Sequence, residues 1–242
     1  PEGTTEEDIT HIMGQAAETA AECNIEIIGG HTEITKAVNR PVIVSTAVGR
    51  GFKGQSASAS EIKPGDAILM TKTAGIEGTG IIACDYEEEL REVLSAEELE
   101  HAKSLLSKVS VVKDGIIAGR IGTHGMHDVT EGGILGAVWE MCSIAGTGAR
   151  LDAEAIPADD VTRRICEHYD INMLRLISSG SMLIMTEEDK KEEIIRELAA
   201  QGIPAAQIGK IVPKEEGLSI CEGGKQTQID PPGPDELYKI VK

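Results

Sequence analysis

The sequence predicts a layered α/β (α+β) fold, on three observations. Strand-like and helix-like runs alternate along most of the chain. The strand-like runs are short and rich in β-branched residues, while the helix-like ones are longer and periodic. Two glycine pairs, Gly29–Gly30 and Gly132–Gly133, each follow an extended stretch.

In chain order, Thr5 to Glu22 aligns Ile9, Ile12, Met13, Ala16, Ala17 and Ala20 on one stripe with acids in its first turn, which predicts a helix. Ile25 to Ile28 and Pro41 to Val48 are expected as strands. Gly49 to Ser60 has the glycine and serine content of a linker, so a boundary is placed there, with units 1–52 and 53–230 and a tail helix over 231–242. Beyond the linker come a strand at Ala67 to Thr71, a glycine-started helix at Ala74 to Cys84, acidic helical material from Asp85 to Leu106 and a helix at Val109 to Arg120. Thr123 to Asp128 leads into a helix at Gly133 to Ala145. Ala149 to Asp152 is extended, Val161 to Tyr169 helical, Ser181 to Met185 a buried strand and Glu187 to Gln201 a periodic helix. Ile208 to Val212 is a strand, and Leu218 to Cys221 with Lys225 to Ile229 form a hairpin around Gly223–Gly224.

Composition narrows the function. A chain of 242 residues can build a substantial core. With 2% aromatics, that core must be made of Ile, Leu, Val, Ala and Met. A net charge of −18 argues against nucleic acid as a partner, since phosphate contacts need clustered Lys and Arg. A phosphate ligand would instead enter with a divalent cation. No apolar run is long enough to span a bilayer and no leader opens the chain, so a cytoplasmic protein without a membrane partner is expected. The odd number of cysteines, Cys23, Cys84, Cys142, Cys166 and Cys221, matches no zinc spacing, and buried reduced thiols are the plain reading.

The residues that carry chemistry cluster at the glycine pairs. Asp128-Val129-Thr130-Glu131-Gly132-Gly133 places a carboxylate and a hydroxyl ahead of glycines that open a helix. Backbone amides can there approach an anion, and the first turn carries partial positive charge. Asp or Thr ahead of Glu is equally how an ordinary helix is capped. His31 reads as a substrate or phosphate contact or as a spacer in a tight turn. His124 and His127 lack a completing zinc set and read as structural. Gly75 to Gly80 fits either a phosphate cradle or close helix packing.

Together these motifs resemble the superfamily of aminoimidazole ribonucleotide synthetase, selenophosphate synthetase, thiamine monophosphate kinase and the carbamoyl dehydratase of hydrogenase maturation. Gly29-Gly30-His31-Thr32 is similar to a loop of selenophosphate synthetases. Asp128 to Ala137 is similar to the helix start of the hydrogenase maturation branch. Lys63-Pro64-Gly65-Asp66, Ala74 to Gly80 and Ser178-Ser179-Gly180-Ser181 follow in family order.

The resemblance implies ATP and Mg2+ as cofactors and a homodimer built through the strand Pro41 to Val48. It implies Asp128 as a metal contact, with Gly29, Gly30, His31, Thr32, Thr130, Glu131, Gly132 and Gly133 as nucleotide or substrate contacts. The reaction implied is phosphorylation of an amide, carbonyl or similar oxygen on a small molecule or a protein tail. The family's glycine-rich loop and paired acidic segments have no counterpart in this sequence. Residues 1–52 are therefore expected to be a remnant of an amino-terminal ATP-binding and dimerisation domain, followed by a complete carboxy-terminal domain. Two departures oppose the nearest branch: Glu33 stands where a lysine is usual, and the chain ends in Lys239-Ile240-Val241-Lys242 rather than the cysteine on which cyanide is formed. The alternative is a non-catalytic nucleotide- or anion-binding regulatory protein of the same fold.

Overall fold

The computed structural model describes residues 1–50 and 58–241, which divide into two units, Pro1–Gly51 and Phe52–Lys242. Much of the expected linker lies outside the described residues. In the first unit, α1 (Glu6–Glu22) begins on a capping box: Asp8 donates its amide to the Thr5 hydroxyl, and the Thr5 amide donates to the Asp8 carboxylate at 2.8 Å. Residues 25–50 then run without helix or strand, contrary to the strands expected at Ile25 to Ile28 and Pro41 to Val48. Their composition suits a sheet, but no neighbouring strand accepts their backbone bonds among the described residues. Ile28, Val44 and Val48 are consequently almost fully exposed.

The second unit is a layered α/β domain on a seven-stranded sheet of order β2-β4-β1-β5-β3-β6-β7. The strands are β1 (Ala67–Thr71), β2 (Gly125–Asp128), β3 (Gly148–Asp152), β4 (Met182–Thr186), β5 (Ala205–Val212), β6 (Leu218–Glu222) and β7 (Lys225–Gln228). All pairings are antiparallel except β3 with β6. The hairpin between β6 and β7 turns on Gly223 and Gly224, both at positive φ, as a two-residue turn of this kind requires.

The central strands β1 and β4 are buried along their whole length because both faces of the sheet are covered. Side-chain alternation sends Ile68, Met70, Leu183 and Met185 into one core with α6 (Gly133–Ala145). Ala67, Leu69, Met182 and Ile184 pack on the opposite face against Ala118, Ile194 and Leu198 of α5 (Val112–Ile121) and α8 (Lys191–Ala200). A third cluster joins α2 (Ile76–Asp85), α3 (Glu87–Leu90), α4 (Ala96–Ser104) and α7 (Asp160–His168) through Ile76, Ile82, Leu90, Leu99 and Ile165. Beyond β7 the expected tail helix is one 3-10 turn, Glu236–Lys239, whose Leu237, with the following Ile240, is buried in that third cluster. Three prolines between 231 and 234 remove amide donors and prevent a longer helix.

Candidate functional site

β2 is an edge strand paired with β4 as far as Asp128 opposite Met182. Val129 continues that line, donating its amide to Ser181 at 2.9 Å and accepting from Ser178 at 3.1 Å. The chain then reverses into α6 through two consecutive left-handed residues, Gly132 at φ 81° and Gly133 at φ 60°. A Cβ on Gly133 would lie 2.6 Å from the Leu174 carbonyl oxygen, so the second glycine is required by packing as well as by backbone conformation. The loop thus delivers Asp128, Thr130 and Glu131 to the positive end of a 13-residue helix.

Asp128 is half exposed, its side chain retaining 54% of its accessible surface. Beside it His127 directs Nδ1 at the Asp128 carbonyl and Nε2 at Glu140 of α6, 3.0 Å away, so the imidazole ties strand to helix. Thr130 is half-buried. Exposed Glu131 accepts the phenolic hydrogen of Tyr238, which raises the Tyr238 pKa.

The Gly132 amide donates to Asp235 Oδ2 at 2.7 Å, while Ile177 and Leu237 donate theirs to Oδ1 at 3.2 and 2.9 Å. Asp235 is 3% exposed and was not legible as a site residue: 103 residues separate it from Gly132, and only the rigid proline run before it hints at a fixed placement.

Among the described residues no group of three or more His, Cys, Asp or Glu side chains could hold a metal. Asp128 alone therefore suits a magnesium ion that keeps its waters and arrives on phosphate oxygens, and does not suit an ion caged by protein.

Gly29, Gly30, His31 and Thr32 belong to the first unit and are exposed. His31 Nε2 lies 3.8 Å from Glu33, and open space surrounds both glycines. For Gly75 to Gly80, packing accounts for the glycines: a Cβ on Gly78 or Gly80 would come within 2.5 Å of Leu176 or Leu106. The Ser178 to Ser181 turn is likewise a structural lock, with the Ser178 hydroxyl accepting from Ile76 and the Ser181 hydroxyl donating to the Thr73 carbonyl at 2.6 Å. His124 has a structural role through Asp66, which is 1% exposed and 2.7 Å from Nδ1.

Sequence reading also missed Lys72, a left-handed residue at φ 56° whose ammonium is bound by Asp114 at 2.8 Å and by the Gly180 and Ser110 carbonyls. A hollow of about 480 Å³ lies over β3, β5 and β6, lined by Arg150, Lys210 and Cys221 among others; no predicted site residue lines it. Among the described residues no helix is long and apolar enough to cross a membrane.

Comparison with known proteins agrees with this architecture. The carbamoyl dehydratase HypE of Escherichia coli is 26% identical over 99% of this chain and 70% of its own length. The crystal structure of E. coli HypE superposes with a TM-score of 0.79 at 22% identity, covering 99% of this chain and 73% of that one. HypE crystallised in complex with ATP gives 0.72 at 18% identity, covering 99% and 72%. Residues 63–221 match the family described as AIR synthase related protein, C-terminal domain. The chain, in which that match spans most of the second unit, therefore belongs to the AIR synthase related proteins.

Proposed function

We propose that the chain is part of an ATP-dependent enzyme of the hydrogenase maturation type, which phosphorylates an amide, carbonyl or similar oxygen on a small molecule or a protein tail. The observation that carries this reading is the strand-to-helix loop Asp128 to Gly133: it presents a half-exposed carboxylate and paired left-handed glycines at a helix start. Two likenesses support it, one in sequence to a carbamoyl dehydratase and one in fold to a HypE bound to ATP.

In this reading Asp128 holds magnesium together with the phosphate oxygens, and ATP with its metal supplies the phosphoryl group. Thr130, Glu131, Gly132 and Gly133 position nucleotide or substrate at the positive end of α6. His127, fixed between the Asp128 carbonyl and Glu140, keeps the end of β2 in register with that helix. Gly29, Gly30, His31 and Thr32 are, in this reading, nucleotide or substrate contacts carried by the first unit. The protein works as a cytoplasmic homodimer, with the exposed apolar residues Val42, Ile43 and Val44 as dimer contacts.

One observation favours a non-catalytic anion-binding protein as a second reading: the Gly132 amide already has a carboxylate partner in Asp235. Titration of Mg-ATP into the chain and into Asp128→Asn tests the first reading. Binding weakened at least roughly tenfold in the variant supports it, tenfold being the scale of one lost charged contact. Equal binding returns Asp128 to the role of an ordinary residue ahead of a helix.

A further inference from the structure

Asp235 is a buried carboxylate whose partners are three backbone amides and, among the described residues, no cation. One of those amides, Gly132, is at the start of α6, where the helix dipole favours negative charge. The contact does not stand alone. Tyr238 donates its hydroxyl to Glu131, and Pro232 lies against the position a Cβ on Gly132 would take, at 3.4 Å. The same short tail therefore holds two neighbouring residues of the predicted site.

The way the tail is attached points to something that can lift. Its last ladder bond is from the Ile229 amide to the Leu218 carbonyl, and the proline run that follows contributes few donors. Thereafter the fastenings are single side-chain bonds to distant parts of the same unit and two buried apolar side chains. Arg175 donates to the Asp230 carbonyl at 3.0 Å, the Asn172 amide to Glu236 at 3.0 Å and the Tyr86 hydroxyl to the Ile240 carbonyl at 2.7 Å, while Leu237 and Ile240 are buried at 9% and 8% exposure. No strand pairing has to break for the segment to move as a unit.

We propose that residues 230–240 form a strap across the start of α6, with the Asp235 carboxylate as internal occupant of the anion-binding amide, so that the strap and a phosphate-bearing ligand are alternative occupants of that position. The proposal rests on reading Asp128 to Gly133 as an anion site, and it adds that the site is closed by the protein's own carboxylate. A phosphate must displace Asp235 from the Gly132 amide, and doing so also frees the Ile177 amide held by the same carboxylate, whereas the Leu237 amide is capped within the strap and moves with it.

The test uses the whole chain and two variants, Asp235→Asn, which keeps the side-chain shape and removes the charge, and Tyr238→Phe, which removes only the exposed contact to Glu131. Inorganic phosphate and Mg-ATP are titrated into all three, and hydrogen exchange at individual amides is followed in the unaltered chain. Expected are roughly tenfold tighter phosphate binding by Asp235→Asn, the scale of one charge-assisted contact, and a smaller gain for Tyr238→Phe. Faster exchange at Ile177 and Asn172, whose amides donate to Asp235 and Glu236 of the strap, should accompany phosphate binding, while Gly132 stays protected. Binding without any change at the Ile177 and Asn172 amides, or with equal affinity in Asp235→Asn, overturns the strap and leaves the anion site standing. Absence of anion binding in the chain and in both variants overturns both.

Discussion

Gly133 is where backbone conformation and packing impose the same residue: φ is 60°, and a Cβ would press on the Leu174 carbonyl and on Arg175. An alanine carries a left-handed penalty of about 1–2 kcal/mol and must also push back a neighbouring main chain. Gly133→Ala is therefore expected to lower stability by about 2–4 kcal/mol, read as a shifted urea midpoint at unchanged slope. A loss below the conformational penalty would mean that the Leu174 segment yields freely. Lys72 supports a second expectation. Its ammonium and Asp114 are 16% and 2% exposed, so Asp114→Ala strands a largely buried cation that keeps only carbonyl partners. Breaking such a pair costs about 3–5 kcal/mol, whereas Lys72→Met with Asp114→Leu should recover much of the loss in the same denaturation assay.

At the scale of elements, α1 tests the capping argument through pH. The Thr5 amide and then the Thr5 hydroxyl, both bonded to Asp8, hold its carboxyl below the usual aspartate range, with a smaller contribution from His11. A group whose folded pKa is depressed contributes stability that is complete above its unfolded value and is lost as pH falls through the folded one. The protection of α1 amides, corrected for the intrinsic pH dependence of exchange, should therefore fall in acid below the normal aspartate range, and Asp8→Asn should abolish that dependence; an unchanged acid response in the variant would remove the capping box as its cause. Elements of this kind were legible in the sequence because their signals are local. β1 occupies the predicted Ala67–Thr71 and α6 the predicted Gly133–Ala145, one marked by an unbroken apolar run and the other by its glycine start. Ile25 to Ile28 and Pro41 to Val48 carry equally good β-branched composition and form no strand, since a strand is completed by a partner that local sequence does not specify. Asp235 escaped notice for a related reason: its role is a contact across 103 residues, and no spacing rule announces it.

Over the whole molecule, burial sorts the thiols that sequence could only count. Burial pushes the Cys142 thiol up to about 11 and the Cys166 thiol up to about 12, the latter helped by the charge of Glu236. Cys84 is exposed. At pH 8 an alkylating reagent should modify Cys84 in the folded chain and reach Cys142 and Cys166 only after denaturant is added; early labelling of Cys142 would contradict the core packed between α6 and the sheet. Many of the chain's acids lie at helix starts or in surface pairs such as Glu87 with Arg91 and Lys103; at the glycine-rich start of α6, Glu131 is taken by the Tyr238 hydroxyl, and Asp128 is the half-exposed carboxylate assigned to the metal. Whether Asp128 holds the metal is decided by the Mg-ATP dependence of the melting temperature in the chain and in Asp128→Asn. A ligand bound only by the folded state raises the melting temperature by mass action. A metal on Asp128 gives a rise in the unaltered chain that is largely lost in Asp128→Asn while the ligand-free melting temperatures stay equal; an identical rise in both proteins rules it out.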